Sequence, residues 1–162
     1  MSYPEPRYLG DGGEVSATLR RADQEAELRT GTGFAHYLAT SASTNGQFGL
    51  YRWDMGPEPS GPGPHFHRTF SESFFVLDGS VRLYDGNRWV DAGPQDFCFV
   101  PEGGVHGFRN ESGEPASLLI LFAPGAPREG YFEGIVEIVS RDREPSEEEL
   151  DKFFTKHDTY WV

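Results

Sequence analysis

Residues 65–79 read His-Phe-His-Arg-Thr-Phe-Ser-Glu-Ser-Phe-Phe-Val-Leu-Asp-Gly, and residues 101–110 read Pro-Glu-Gly-Gly-Val-His-Gly-Phe-Arg-Asn. His65 and His67 are two apart, so on an extended strand both imidazoles project to one face, where they can meet one ion. Glu72 opens an aromatic run, Ser73 to Leu77, in which a carboxylate needs a partner or a cation. His106 follows the turn Pro101-Glu102-Gly103 and supplies a third imidazole. Three imidazoles and one carboxylate form a nitrogen and oxygen donor set suited to a first-row divalent metal, with positions left open for substrate. The set lacks thiolate, which excludes a structural cysteine zinc site.

Working outward, Gly and Pro fill seven of the nine positions 56–64, so neither a helix nor a central strand occupies them. Short strand candidates lie on both sides: Phe34–Ala39, Phe48–Met55, Ser71–Leu77, Ser80–Tyr84, Asn87–Val90, Phe97–Val100, Val105–Asn110 and Ala116–Ala123. Asp78-Gly79 and Asp85-Gly86 between such runs are hairpin signals. The pattern predicts an all-β sandwich or barrel. Glu129–Val139 reads equally as a short helix or a return strand. Ser146-Glu147-Glu148-Glu149 is a capping box, and Leu150, Phe153 and Phe154 follow at helical spacing, so an amphipathic helix is expected to lie on the barrel. The expected organisation is an N-terminal arm (1–32), a β-barrel (33–140) and a C-terminal helix and tail (141–162).

The chain has 162 residues, the length of one domain. Its 20 Gly and 12 Pro argue against a helical bundle, and its 13 Phe provide the apolar bulk of a core. With 26 acidic and 14 basic residues the net charge is −12, which repels nucleic acid and anionic lipid. The longest apolar run, Leu118–Ala123, is far short of a membrane span. The first ten residues show no secretion-signal pattern, and the lone Cys98 forms no internal disulfide, so a reducing, cytoplasmic setting is expected.

The stretch His65-x-His67-x4-Glu72-x6-Gly79 resembles the first motif of the cupin superfamily, and Pro101-x-Gly103-x2-His106-x3-Asn110 resembles its second. The match spans about 50 residues, from Gly61 to Asn110. Two family glycines are replaced, one by Pro59, with Gly61 nearby, and one by Gln95. Both positions concern turns, and the four ligand positions are intact. The resemblance implies a conserved β-barrel (a double-stranded β-helix or jelly roll) in which His65, His67, Glu72 and His106 surround one divalent ion: iron, manganese, nickel, cobalt, copper or zinc. The chain is most similar to the single-domain, quercetin dioxygenase-like group. That implies a metal-dependent dioxygenase acting on a small aromatic or enolic substrate with O2, with Glu72 as ligand or catalytic base. The same ligands also serve isomerases and polyketide cyclases that need no O2, and non-catalytic cupins that bind a metal or a small molecule. A homodimer is the assembly the resemblance implies.

Other residues have plainer readings. Phe48, Leu50, Phe74, Val76, Phe97, Phe99 and Phe108 supply core and cavity wall, and strand alternation sends only part of them inward. His36, in an aromatic strand run, reads as a core or cavity-wall residue. His157 near the end of the C-terminal helix suits the helix dipole. Cys98 between two phenylalanines reads as a buried, inert thiol. The acid-rich run Asp142–Asp151 reads as a solvated helix start.

Overall fold

Turns cut this chain into short strands, and the pairing of those strands builds the site. The structure is a computed structural model describing residues 2–162. Its strands are β1 (Leu28–Arg29), β2 (Gly33–Ala39), β3 (Gly49–Met55), β4 (His65–Phe66), β5 (Ser71–Asp78), β6 (Val81–Tyr84), β7 (Trp89–Ala92), β8 (Phe97–Val100), β9 (Gly107–Arg109) and β10 (Ala116–Ala123). Helices α1 (Glu129–Val139) and α2 (Glu147–Lys156) follow, then β11 (Tyr160–Trp161). The fold is the expected β-barrel with a C-terminal helix.

One wall is a six-stranded antiparallel sheet in the order β1-β2-β3-β10-β5-β8. The other joins β7-β6-β9 to β4-β11 through the bridges His65↔His106 and Ser60↔Asn110. Strict alternation makes β10 two-faced: Ala116, Leu118, Ile120 and Phe122 are buried, and the residues between them are half-buried. Its register sets Phe74 beside Ile120 and Val76 beside Leu118, so β5 presents Glu72, Phe74 and Val76 to the interior. Tyr51, Phe70, Phe122 and Phe132 complete an aromatic core. Each such side chain contributes about 1.5–3 kcal/mol by burial.

The same parity turns Phe97 and Phe99 outward. Cys98 pairs with the buried Phe74, so its two neighbours follow Phe75 to the outer face and are 64% and 60% exposed. Cys98 itself is half-buried against the core.

The open segment Glu129–Val139 is a helix, and Tyr131 and Phe132 are its buried residues. The capping box of α2 forms as expected: the Ser146 hydroxyl accepts from the Glu149 amide at 3.2 Å, and the Glu149 carboxylate accepts from the Ser146 amide at 2.9 Å. The tail does more than lie on the barrel, because β11 pairs with β4, Trp161 opposite His65. At the other end, Leu28 and Arg29 join the sheet beside Ala35 and Phe34. No helix among the described residues is long and apolar enough to cross a membrane.

Two turn positions mark the departures from the motif. Gln95, where the sequence departs from the motif it resembles, holds φ at 76°, a left-handed conformation that costs an ordinary residue about 1–2 kcal/mol. Gly61 holds φ at 121°, and a Cβ there would lie 2.1 Å from the Phe108 carbonyl oxygen. Replacement of Gln95 by glycine should therefore raise stability by about 0.5–1 kcal/mol, after the entropic cost of glycine. Gly61→Ala should lower it by about 2 kcal/mol or more. Urea unfolding of the two variants checks both signs.

Candidate metal centre

The bridge between β4 and the start of β9 brings the two motifs together. His65 and His106 exchange backbone hydrogen bonds, each amide donating to the other's carbonyl at 2.8 Å. Their imidazoles face each other with ring centres 4.4 Å apart. His67 lies just past β4, and Glu72 reaches in from β5 on the opposite wall. All four side chains are buried, and one donor atom from each lies within 4.8 Å of the others.

Backbone carbonyls orient the rings. Nδ1 of His65 donates to Gly63 O at 2.9 Å, Nδ1 of His106 to Gly104 O at 2.9 Å, and Nδ1 of His67 to Asp158 O. A carbonyl only accepts, so each Nδ1 carries the proton and each Nε2 turns to the common centre. The Glu72 carboxylate sits among these nitrogens, its Oε2 3.1 Å from His67 Nε2 and 2.8 Å from His106 Nε2.

The electrostatics follow from burial and proximity. Burial alone would raise the Glu72 carboxyl, but His106 and His67 beside it hold it well below the usual carboxylate range. Burial disfavours charge on His106, and the adjacent Glu72 overcomes this and raises its proton affinity. Burial, and then the neighbouring His106, pull His65 down to about 4. The centre thus contains an ionised carboxylate that calls for positive charge, and three imidazole nitrogens aimed at the same point. This donor set fits one divalent transition metal.

A cavity of about 600 Å3 opens beside His65 and Glu72. Trp53, Phe108, Phe122, Phe132 and Trp161 give it an aromatic wall, and Arg128 is the charged residue added by the C-terminal region. Of the seven pocket residues expected from the sequence, Phe108 alone lines this cavity. Phe74 packs behind the centre, 5.8 Å from the His106 ring and 5.5 Å from Phe108, and Val76 belongs to the core. Leu50 is half-buried on the outer face, Phe48 is exposed, and Phe97 and Phe99 point to solvent, because strand parity opposes them to the interior.

His36 is buried away from the cavity. It pairs across to Arg52 on the outer face and bonds Asp54 at 3.0 Å. His157 caps the end of α2.

Sequence reasoning missed the cavity residues Trp53, Phe122 and Phe132 as well as Arg128, Tyr131, Trp161 and Ser60. Arg128 has a signal, being the sole Lys or Arg between Arg109 and Arg141, but its meaning depends on α1 folding back over the barrel mouth.

Comparison with known proteins agrees with this geometry. Residues 51–122 match the family model described as Cupin domain. A quercetin 2,3-dioxygenase of Bacillus subtilis is 29% identical over 114 residues, covering 65% of this chain and 34% of its own length. The chain therefore spans about a third of that relative. The polyketide cyclase RemF of Streptomyces resistomycificus is 27% identical, with a TM-score of 0.54, covering 66% of this chain and 78% of its own. A structure from Thermotoga maritima, described as a predicted oxalate decarboxylase, shares the fold with a TM-score of 0.58 at 19% identity, covering 67% and 99% of the two chains.

Asp158 couples the tail to the centre. Its carbonyl holds His67, and its carboxylate accepts from the Arg68 amide at 3.0 Å and from the amide and hydroxyl of Thr69 at 2.8 and 2.7 Å. Asp158→Ala should cost about 2 kcal/mol, the worth of charge-assisted bonds at a half-buried site. Thermal unfolding of EDTA-treated protein measures it.

Proposed function

We propose that this chain, whose residues 51–122 match the Cupin domain model, is a metal-dependent dioxygenase acting with O2 on a small aromatic or enolic compound. His65, His67, Glu72 and His106 hold the ion. The observation that carries this reading is the buried four-donor cluster opening directly onto an aromatic cavity. Similarity to a quercetin 2,3-dioxygenase supports the reaction class.

The bound ion supplies Lewis acidity and a route for electrons to O2. The remaining work belongs to the chain. Trp53, Phe108 and Phe132 hold a flat ring and exclude water. Glu72, which lines the cavity, takes the proton of the substrate hydroxyl on its carboxylate, leaving an electron-rich anion in the cavity. The imidazoles stay in place because their outer nitrogens are tied to the backbone.

A second reading, a cyclase that uses the same centre without O2, is favoured by the likeness to the polyketide cyclase of Streptomyces resistomycificus. Turnover of a phenol and enol panel in an oxygen electrode separates the two. Product formed with O2 uptake supports the dioxygenase, and equal anaerobic turnover supports the cyclase.

Two variants test the residues. His106→Ala should lose bound metal in elemental analysis, and retention of one ion per chain would overturn the four-ligand centre. Glu72→Gln should keep most of the metal while turnover falls by roughly 10²-fold, the usual contribution of a positioned base. Equal loss of both would make Glu72 chiefly a ligand.

A homodimer is proposed from the outer sheet face. The cross-strand pairs Ser73↔Phe99 and Phe75↔Phe97 group exposed aromatic rings on β5 and the edge strand β8, with Leu77 beside them. None of these side chains is charged, so the patch is self-complementary to a second copy despite the acidic chain. Light scattering should give twice the chain mass, and Phe97→Glu should return it to one.

A further inference from the structure

Arg128 is the Lys or Arg in the cavity wall; Glu72 in the same wall and Asp158 favour its charge from a distance, and no carboxylate touches it. The residue is 4% exposed. It takes part in none of the ion pairs among the described residues. Nη1 donates to His157 O at 2.7 Å and to the Thr159 hydroxyl at 3.4 Å, whereas Nε is buried with no partner. The Ser60 hydroxyl, in the same wall, is also buried and unpartnered.

Four rings surround the guanidinium. Its carbon lies 3.9 Å from the Tyr131 centroid, 5.3 Å from Phe122, 5.4 Å from Phe70 and 5.7 Å from Phe132. Ring faces attract a cation but bring no negative charge, so the desolvation cost is only partly offset. Burial correspondingly weakens the hold of this guanidinium on its proton. Its place at the N-cap of α1 adds a further cost, because the helix dipole there disfavours a cation. A purely structural role in tying the end of α2 uses one nitrogen of the three and does not require a position in the cavity wall.

We propose that Arg128 is a specificity-determining residue, and that the cavity takes a small acid whose carboxylate meets this guanidinium while its apolar body lies against Trp53, Phe108 and Phe132. A planar fork of donors matches a carboxylate and a neutral group does not. The assignment rests on the reading of this cavity as the substrate site. It adds a second recognition point, distinct from the histidines and Glu72, and narrows the substrate class from aromatic or enolic compounds to those that also carry an acid.

Trp53 and Trp161 line the cavity, so their fluorescence reports binding. The probes are phenylacetate and its neutral isostere phenylacetamide, titrated into EDTA-treated and metal-loaded protein. Phenylacetate should bind at least about 10-fold more tightly than the amide in both forms. Arg128→Met should bring the two within about twofold while leaving the amide's affinity unchanged, and Arg128→Lys should keep part of the preference. Equal affinities in the unaltered protein, binding of the amide alone, or binding of neither probe overturns the proposal.

A preference that survives in Arg128→Met, or that exists only with metal loaded, also overturns it, since the carboxylate then goes to the histidine and glutamate centre. A preference retained in EDTA-treated protein that binds no metal would sink the metal reading and leave Arg128 assigned. Should Arg128→Met not fold, the unaltered protein and Arg128→Lys decide the matter.

Discussion

A carboxylate buried among apolar side chains cannot stand alone, and the barrel is arranged around that constraint. Glu72 projects inward from β5, between β10 and β8, and is buried at the bottom of the cavity. Its charge is held by His106 and His67, which must come from the facing wall. The pairing of His65 with His106 fixes that wall, and the carbonyls of Gly63 and Gly104 fix the rings on it. Removal of any one of these leaves a buried ion without its partner, which costs several kcal/mol, more than any single surface contact contributes.

The C-terminal segment belongs to the same arrangement. Asp158 holds His67 and the turn after it, β11 pairs with β4, and Arg128 reaches the carbonyl of His157. Helix α1 brings Tyr131 and Phe132 over the barrel mouth, where they and Trp161 turn an open end into an aromatic cavity. The tail is thereby part of the site it covers. A change of backbone at Asp158 acts directly on the His67 ring, with no need for longer-range coupling.

Much of this is legible in the sequence, for identifiable reasons. HxH spacing, the buried-strand glutamate and the third histidine after a Pro-x-Gly turn are local patterns, each weak alone and specific together, and the structure gathers those four side chains. Turn chemistry marks β2, β3 and β5 to β10 to within a residue or two, and gives no sign of the two-residue strands β1 and β11. The capping box likewise announces α2, because both of its bonds are local.

The pocket is another matter. Phe97 and Phe99 face outward because Cys98 pairs with Phe74, a register no local pattern contains. The wall joins Trp53, Phe108 and Phe122 of the barrel to residues of α1 and β11, whose positions depend on tertiary packing. Glu129–Val139 carries apolar residues that suit either period, and contact with Trp53 and Phe122 is what makes it a helix on this surface. Gln95 shows the converse: tertiary bonds hold a left-handed turn that the residue itself disfavours.

The charge of the chain can now be divided into two regions with opposite effects. The net −12 lies on acids that are mostly solvated, and salt screens them over about 8 Å at physiological ionic strength. The cavity is different, since its aromatic wall excludes the ions that would screen it. With the proposed divalent ion in place, Glu72 cancels one of two positive charges and Arg128 adds another. The interior therefore stays positive inside an acidic protein. A neutral aromatic compound gains only the apolar wall there, whereas an acid of the same shape also meets a cation that no carboxylate touches. Repulsion from the surface weakens the approach of such an acid by a screened amount, and attraction in the cavity acts at low dielectric, where the same charge counts for more. The balance favours an anion once it has entered, so selection would lie in the depth of the cavity and not at its rim.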